Sequence, residues 1–376
     1  MNKIENKIDI KFKEQENNNE NKIKKIIVHE LEYEKKMNYN FIKDPKNLKY
    51  KLDITTTNTD WGWNDIFEIY ISYIDNKEYL ISPNTNNFNL DIFELINNQK
   101  INSLQGHKNK IRTIRYFINN KNKNEYLISA DDNKIVIIWD ITNNYNIKYN
   151  IDTQYGHDIY SCLLIFPNNM NDDYIITSSF SYESENNEDS ATKIYSFNDC
   201  KFIKYINNTN NNAIYYLLSW YNKKNNKYYI IQFSYKKILI NNLLEDELYS
   251  ELSNEPEENH VSGFIYYKDN NDYLCSSSYN GYINIWDLYN KKIFKIINTN
   301  GCKLAHIIEW NNKYIIVADF NNKLFKIIDI DDNSIHDIII EHKNNLKCIK
   351  KINHPIYGES LLSAGQDKII KLWTIE

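Results

Sequence analysis

The sequence predicts an all-β fold built from repeated sheets, and three observations predict it. Three stretches align with one another: ISADDNKIVIIWDI at 128–141, CSSSYNGYINIWDL at 275–288 and LSAGQDKIIKLWTI at 362–375. Weaker copies then fall into the same frame at a period of about 45 residues, which fits four strands per copy. The final stretch ends on a strand, 368–374, and a strand left on a sheet edge exposes unpaired N–H and C=O groups that proteins normally cover.

Each aligned stretch carries a small-residue strand end with Ser, a polar turn, and a β-branched strand that ends in Trp. The serine ten positions before Trp is Ser129, Ser276 or Ser363, and the turn residue six before it is Asn133, Asn280 or Asp367. In chain order the Trp slot reads Phe93, Trp139, Tyr195, Ile240, Trp286, Ile328 and Trp373, giving seven copies. An open stack of seven twisted sheets would leave two bare ends, whereas a ring removes them. The last copy ends on a strand that needs an edge partner, and the β-prone stretch at 48–54, just before the first copy, is expected to supply it and so to pair the two ends of the repeat region. Removing residues 1–40 should then leave the fold intact, and removing 1–56 should lower its melting temperature sharply. Residues 1–47 are rich in Asn, Lys and Glu with one short apolar stretch at 23–31, and they read as a low-complexity, disordered tail.

Gly106-His107, Gly156-His157, Trp139-Asp140 and Trp286-Asp287 complete the pattern. With them, residues 48–376 resemble the WD-repeat (WD40) β-propeller family. The resemblance implies a seven-bladed β-propeller of four-stranded antiparallel blades, closed by an N-terminal strand pairing with the last blade. It also implies a His–Ser–Asp–Trp network inside a blade. His342, Ser363, Asp367 and Trp373 have that spacing. His107, Ser129 and Trp139 repeat it with Asp132 or Asn133 at the turn, and His157, Thr177, Asp189 and Tyr195 form a weaker version. A His, a Ser and an Asp invite a catalytic-triad reading, but one active site does not occur in triplicate with Trp as a fourth member. The expected role is structural: buried polar groups must find partners.

Composition narrows the function classes. Net charge is −5, which disfavours nucleic acid as a partner, because phosphate binding rests on a basic surface. No apolar run reaches the length of a membrane span, and the polar N-terminus lacks a signal-peptide core, so cytoplasm or nucleus is the expected location. The five cysteines are scattered and read as buried thiols. No His or Cys set has metal-ligand spacing, the stretch 329–334 lacks the Gly and terminal Glu of a calcium loop, and the chain has eight glycines with no phosphate-cradling loop. No cofactor is expected.

The remaining chemistry lies in loops. The resemblance implies that loops joining successive blades and those joining second to third strands share an upper face, and that first-to-second and third-to-fourth turns share a lower one. FSYESENNEDSA carries Glu183, Glu185, Glu188 and Asp189, and EDELYSELSNEPEENH carries seven acids including Glu255, Glu257 and Glu258. Both are expected on the upper face beside blade 4, while Lys-rich turns at 119–124, 222–227, 291–292 and 313 should make the lower face basic. Aromatic and Arg anchors supply most interface affinity. The candidates are Trp61, Trp63, Tyr155, Tyr160, Tyr182 and Tyr279, with Arg112. These readings converge on a non-enzymatic, monomeric scaffold that binds proteins, including a basic one. The alternatives weighed against it are a ubiquitin-ligase substrate receptor, which lacks the family's Trp-Asp-x-Arg here, and a phosphoinositide-binding propeller, which lacks its Arg-Arg pair. An enzyme built around the central channel is a further class.

Overall fold

The computed structural model describes residues 44–55, 67–155, 158–168, 170–179, 192–206, 214–234, 237–253, 260–339 and 342–375. They form seven four-stranded antiparallel sheets. Six are continuous in sequence: blade 1 (68–104), blade 2 (111–152), blade 3 (159–206), blade 4 (214–252), blade 5 (260–298) and blade 6 (304–339). Blade 7 takes three strands from 346–375 and its outermost from Leu48–Thr55, which pairs antiparallel with Ile369–Ile375. Leu48 lies opposite Ile375 and Ile54 opposite Ile370, so the expected closure is present in register. The helical content of the described residues is a single 3₁₀ turn, Pro45–Asn47, capped by Asp44 just before the closing strand.

The second strands are buried along most or all of their length, completely in Glu78–Asn84 and Glu125–Asp131. Such a strand has a sheet partner on each side and a neighbouring blade on each face, so it needs apolar residues at successive positions. The outer strands read differently: in Gln99–Leu104 the first four residues are exposed. Apolar side chains from adjacent blades meet in seven clusters, one per junction. Trp139 and Leu127 meet Tyr70 and Ile92 between blades 2 and 1. Cys348, Leu362 and Leu372 of blade 7 meet Phe67, Leu80 and Phe93 of blade 1. Seven blades with seven shared cores make a closed ring, and the Lys350–Glu68 ion pair at 3.1 Å adds a polar link at the closing junction.

The Trp slot faces the preceding blade. Trp139 packs with blade 1, Trp286 with blade 4 and Trp373 with blade 6. One sequence expectation is corrected. Leu127 is paired with Trp139 and Leu274 with Trp286, and the matching residue in blade 4, Ile230, is paired with Asn241. The slot of blade 4 is therefore Asn241; Ile240 points the other way, into the core shared with blade 5. The same register shift precedes Phe93, Trp139, Tyr195, Asn241 and Trp286. An alignment led by apolarity chose the neighbour, and in a strand a slip of one residue changes the face.

Candidate functional site

The polar networks are built from the strand pattern upward. In blade 7, Trp373 Nε1 donates to Ser363 Oγ at 2.8 Å. Ser363 Oγ lies 2.8 Å from His342 Nε2, and His342 Nδ1 lies 2.9 Å from Asp367. One proton arrangement satisfies all of them: Ser363 accepts from Trp373 and donates to His342, whose Nδ1–H donates to Asp367. Burial pushes the Asp367 carboxyl up, but the hydrogen bonds from His342 and from the Lys343 and Ile369 backbone outweigh it and hold the group below its usual range. Ser363 is fully buried with its oxygen committed to two partners, which is the opposite of an exposed nucleophile.

Blade 2 repeats this with one change. Trp139 Nε1 donates to Ser129 at 2.9 Å, and Ser129 meets His107 Nε2 at 2.7 Å. The carboxylate on His107 Nδ1 is Asp131 at 2.9 Å, neither Asp132 nor Asn133. Residues two apart on a strand share a face, so Asp131 sits on the Ser129 side. Gly365 holds the equivalent place in blade 7, opposite Leu346 as Asp131 is opposite Ile111. A Cβ on Gly365 would lie 2.9 Å from His342 Nδ1 and 3.0 Å from Asp367, so its bareness lets Asp367 reach back. Asp132 instead pairs with Arg112.

Blade 3 substitutes again. Tyr155 is buried, donates to the Thr177 carbonyl at 2.8 Å and meets Thr177 Oγ1 at 2.9 Å, and Tyr195 fills the slot. His157 and Asp189 lie outside the described residues. In blade 5, Trp286 Nε1 donates to Ser276 at 2.9 Å. The nearby ring is His260, 6.2 Å from Trp286, a residue that sequence spacing missed. Its nitrogens have no partner among the described residues, and burial lowers its pKa to about 4, so it stays neutral.

A second recurring link was also missed. Five second strands carry an acid just before their first residue or at their first or second: Glu78, Glu125, Asp173, Asp272 and Glu359. Glu125 accepts from the Tyr73 backbone of blade 1 at 2.6 Å and from Tyr116. Asp173 accepts from Asn119 and Lys121 of blade 2, and Asp272 from Trp220 of blade 4. These carboxylates tie a blade to the lower turn, or inner strand, of the one before. The signal was readable as an acid ahead of Tyr in EYLIS, DDYII and NDYLC.

The candidate partner-binding residues divide sharply. Trp61, Trp63, Tyr182, Glu183, Glu185, Glu188, Glu255, Glu257 and Glu258 lie outside the described residues. Arg112 is held between Asp132 of its own blade and Asp158 of blade 3, with Tyr160 5.8 Å away. Tyr279 carries Lys303 of blade 6 over its ring at 4.7 Å. Arg112, Tyr160 and Tyr279 are thus half-buried at the upper rim of blade junctions.

Two charge expectations change. Glu245, Asp246 and Glu247 were assigned to the upper face, yet they form the third-to-fourth turn of blade 4, on the lower face. There Glu245 pairs with Lys227 and Asp246 with Lys204. The lower lysines are correspondingly engaged: Lys121 with Asp173, Lys313 with Asp329, and Lys224 and Lys291 over Tyr289 and Tyr249 at 3.6 and 3.8 Å. No group of three or more metal-ligating side chains occurs among the described residues, and no described helix is long and apolar enough to cross a membrane.

Comparison with known proteins adds one family. The WD40 family model, described as WD domain, G-beta repeat, matches residues 98–140, which take in the last strand of blade 1 and the first three of blade 2, and 256–287, which take in the first three strands of blade 5. No curated protein matches the chain.

Proposed function

Because this chain is a WD-repeat β-propeller, we propose that it is a non-enzymatic protein-interaction scaffold that engages its partners through blade loops. The observation that carries this reading is that the His, Ser and Asp side chains resembling a catalytic set are buried and saturated by one another in the interior of blades 2 and 7. They link the strands within each of these blades and leave the loops at the rim as the surface offered to partners. The acidic loops at 183–189 and 255–258 give the finer proposal: they attract a basic partner, chiefly by speeding encounter and disfavouring wrong partners.

The test is a pull-down from native lysate with mass-spectrometric identification, run on the wild type and on a folded variant with Glu183, Glu185, Glu255, Glu257 and Glu258 changed to Lys. Partners lost only from the variant, and weakened by salt, support recognition by these loops. An unchanged partner set removes the acidic loops from the proposal and leaves the scaffold reading to other surfaces.

A further inference from the structure

A groove of about 580 Å³ opens at the circumference between blades 3 and 4. One wall is the outer strand of blade 3, Phe202–Ile206; the other is Leu239, Asn241 and the Glu245–Leu248 turn of blade 4. Its cause is a missing side chain. At this place in the other blades stand Phe93, Trp139, Tyr195, Trp286, Ile328 and Trp373, each buried against the preceding blade. Blade 4 has Asn241, whose amide donates to Gln232 Oε1 at 2.6 Å. Gln232 occupies the position that is Ser129, Ser276 and Ser363 elsewhere, in register opposite Leu239. The Gln232–Asn241 pair keeps the polar link of the Ser–Trp pair and drops the indole. Neighbouring side chains do not refill the space: Phe202, Ile203 and Leu248 are 45, 46 and 45% exposed along its rim.

We propose that this groove docks an aromatic side chain of a partner protein, carried on a short segment with basic residues on either side. The apolar walls and the shape follow from the slot, which in three other blades is filled by a flat indole. The sign of the flanking charge follows from the rim: Glu245, Asp246 and Glu247 outnumber their two lysines, Lys227 on Glu245 at 2.7 Å and Lys204 on Asp246 at 3.0 Å, and Lys204 also donates to the Leu244 carbonyl at 2.9 Å, which leaves a net negative charge. The Asp246 side chain is 89% exposed, so its ion pair with Lys204 leaves it accessible to an incoming cation. Burial of an aromatic anchor in a pocket with a polar rim is the arrangement that concentrates binding energy. The site is distinct from the acidic loops proposed above, because none of Glu183, Glu185, Glu255, Glu257 and Glu258 lines it, so charge reversal at those five positions spares its lining and either proposal can fail without the other.

The probe is a synthetic Lys-Lys-Trp-Lys peptide with fluorotryptophan, titrated against the full chain and followed by fluorine NMR. Unlabelled peptides with Trp or Ala at the third position compete. A saturable shift is expected, with the Ala peptide at least about tenfold weaker as a competitor. The variant Gln232→Ser with Asn241→Trp rebuilds the Ser–Trp pair inside the slot and should weaken the probe by at least about tenfold while raising the melting temperature. Phe202→Ala removes a wall without filling the slot and gives the same loss of binding by an independent route. Absence of a saturable shift at millimolar peptide overturns the proposal, as does unchanged affinity in either variant. Dimerisation of the wild type that the filled-slot variant abolishes also overturns it, assigning the groove to a second copy.

Discussion

Blade 7 and blade 4 are each four antiparallel strands, and they are stabilised in different ways. Blade 7 is assembled from distant parts of the chain, yet its interior is complete: Trp373 fills the slot, meets Tyr50 of the closing strand edge-on at 5.7 Å and Phe325 of blade 6 at 5.2 Å, and ends a chain of hydrogen bonds through Ser363 and His342 to Asp367. Blade 4 is continuous in sequence, and its slot holds Asn241 beside an open groove. Chain continuity is therefore not what makes a blade solid. What fills the space against the preceding blade is.

That contrast can be broken at its strongest point. Removing residues 1–56 uncovers the blade 7 side that Leu48 and Ile54 now bury, at a cost of about 3–6 kcal/mol for the two side chains. Removal of 1–40 spares the closing strand and should leave stability unchanged; denaturant melts of the two truncations should separate clearly, and coincident midpoints would refute closure by this strand. Next in size is Ser363→Ala, which leaves the buried His342 Nε2 and Trp373 Nε1 unpaired and should cost about 1–3 kcal/mol. The exchange in blade 4 has the opposite sign: Gln232→Ser with Asn241→Trp should stabilise by about 0.5–2 kcal/mol as a cavity-filling change. A loss of stability there would mean that the groove cannot accept an indole.

The smallest expected effect concerns pH. Glu78 of blade 1, at the closing junction, is pushed up to about 7 by burial, and one of its oxygens has no hydrogen-bond partner among the described residues. An unfolded Glu titrates near ~4.3. Between about pH 4 and 7 the folded chain keeps a proton that the unfolded chain releases, so this group makes stability fall as pH rises through that window and then level off. Asp367 has the reverse sign, because its depressed folded value gives stability that is present above the unfolded pKa and lost as pH falls through the folded one. Urea melts across pH should show Glu78→Gln removing the first slope and Asp367→Asn flattening the second.

The sequence made the architecture legible because Trp139, Trp286 and Trp373 repeat with their serines at fixed spacing, and because a strand without an edge partner demands one. It misplaced details wherever a blade keeps a function with different atoms. Asp131 reaches His107 from a position that blade 7 leaves as Gly365, so spacing alone pointed to Asp132. Tyr155 does in blade 3 what a histidine does in blade 2. Asn241 was invisible because an eye searching for apolar residues settles on Ile240, one position away and on the wrong face. The sorting of charge by face failed for Glu245, Asp246 and Glu247 because a run of acids in sequence crosses a whole strand, and its two ends emerge on opposite sides.

The pairing of Leu48–Thr55 with Ile369–Ile375 also sets a clock. Every other strand pair among the described residues joins neighbours in sequence, so blades 1–6 can form as the ribosome delivers them. The closing strand is made early and must wait for a partner some 320 residues downstream, roughly 15–65 s of synthesis at ordinary elongation rates. For that interval the nascent chain carries an unsealed β-edge and a bare apolar flank on blade 1. A chain of this design is most exposed to aggregation and to chaperone capture while it is still being made, in the seconds before its last strand leaves the exit tunnel.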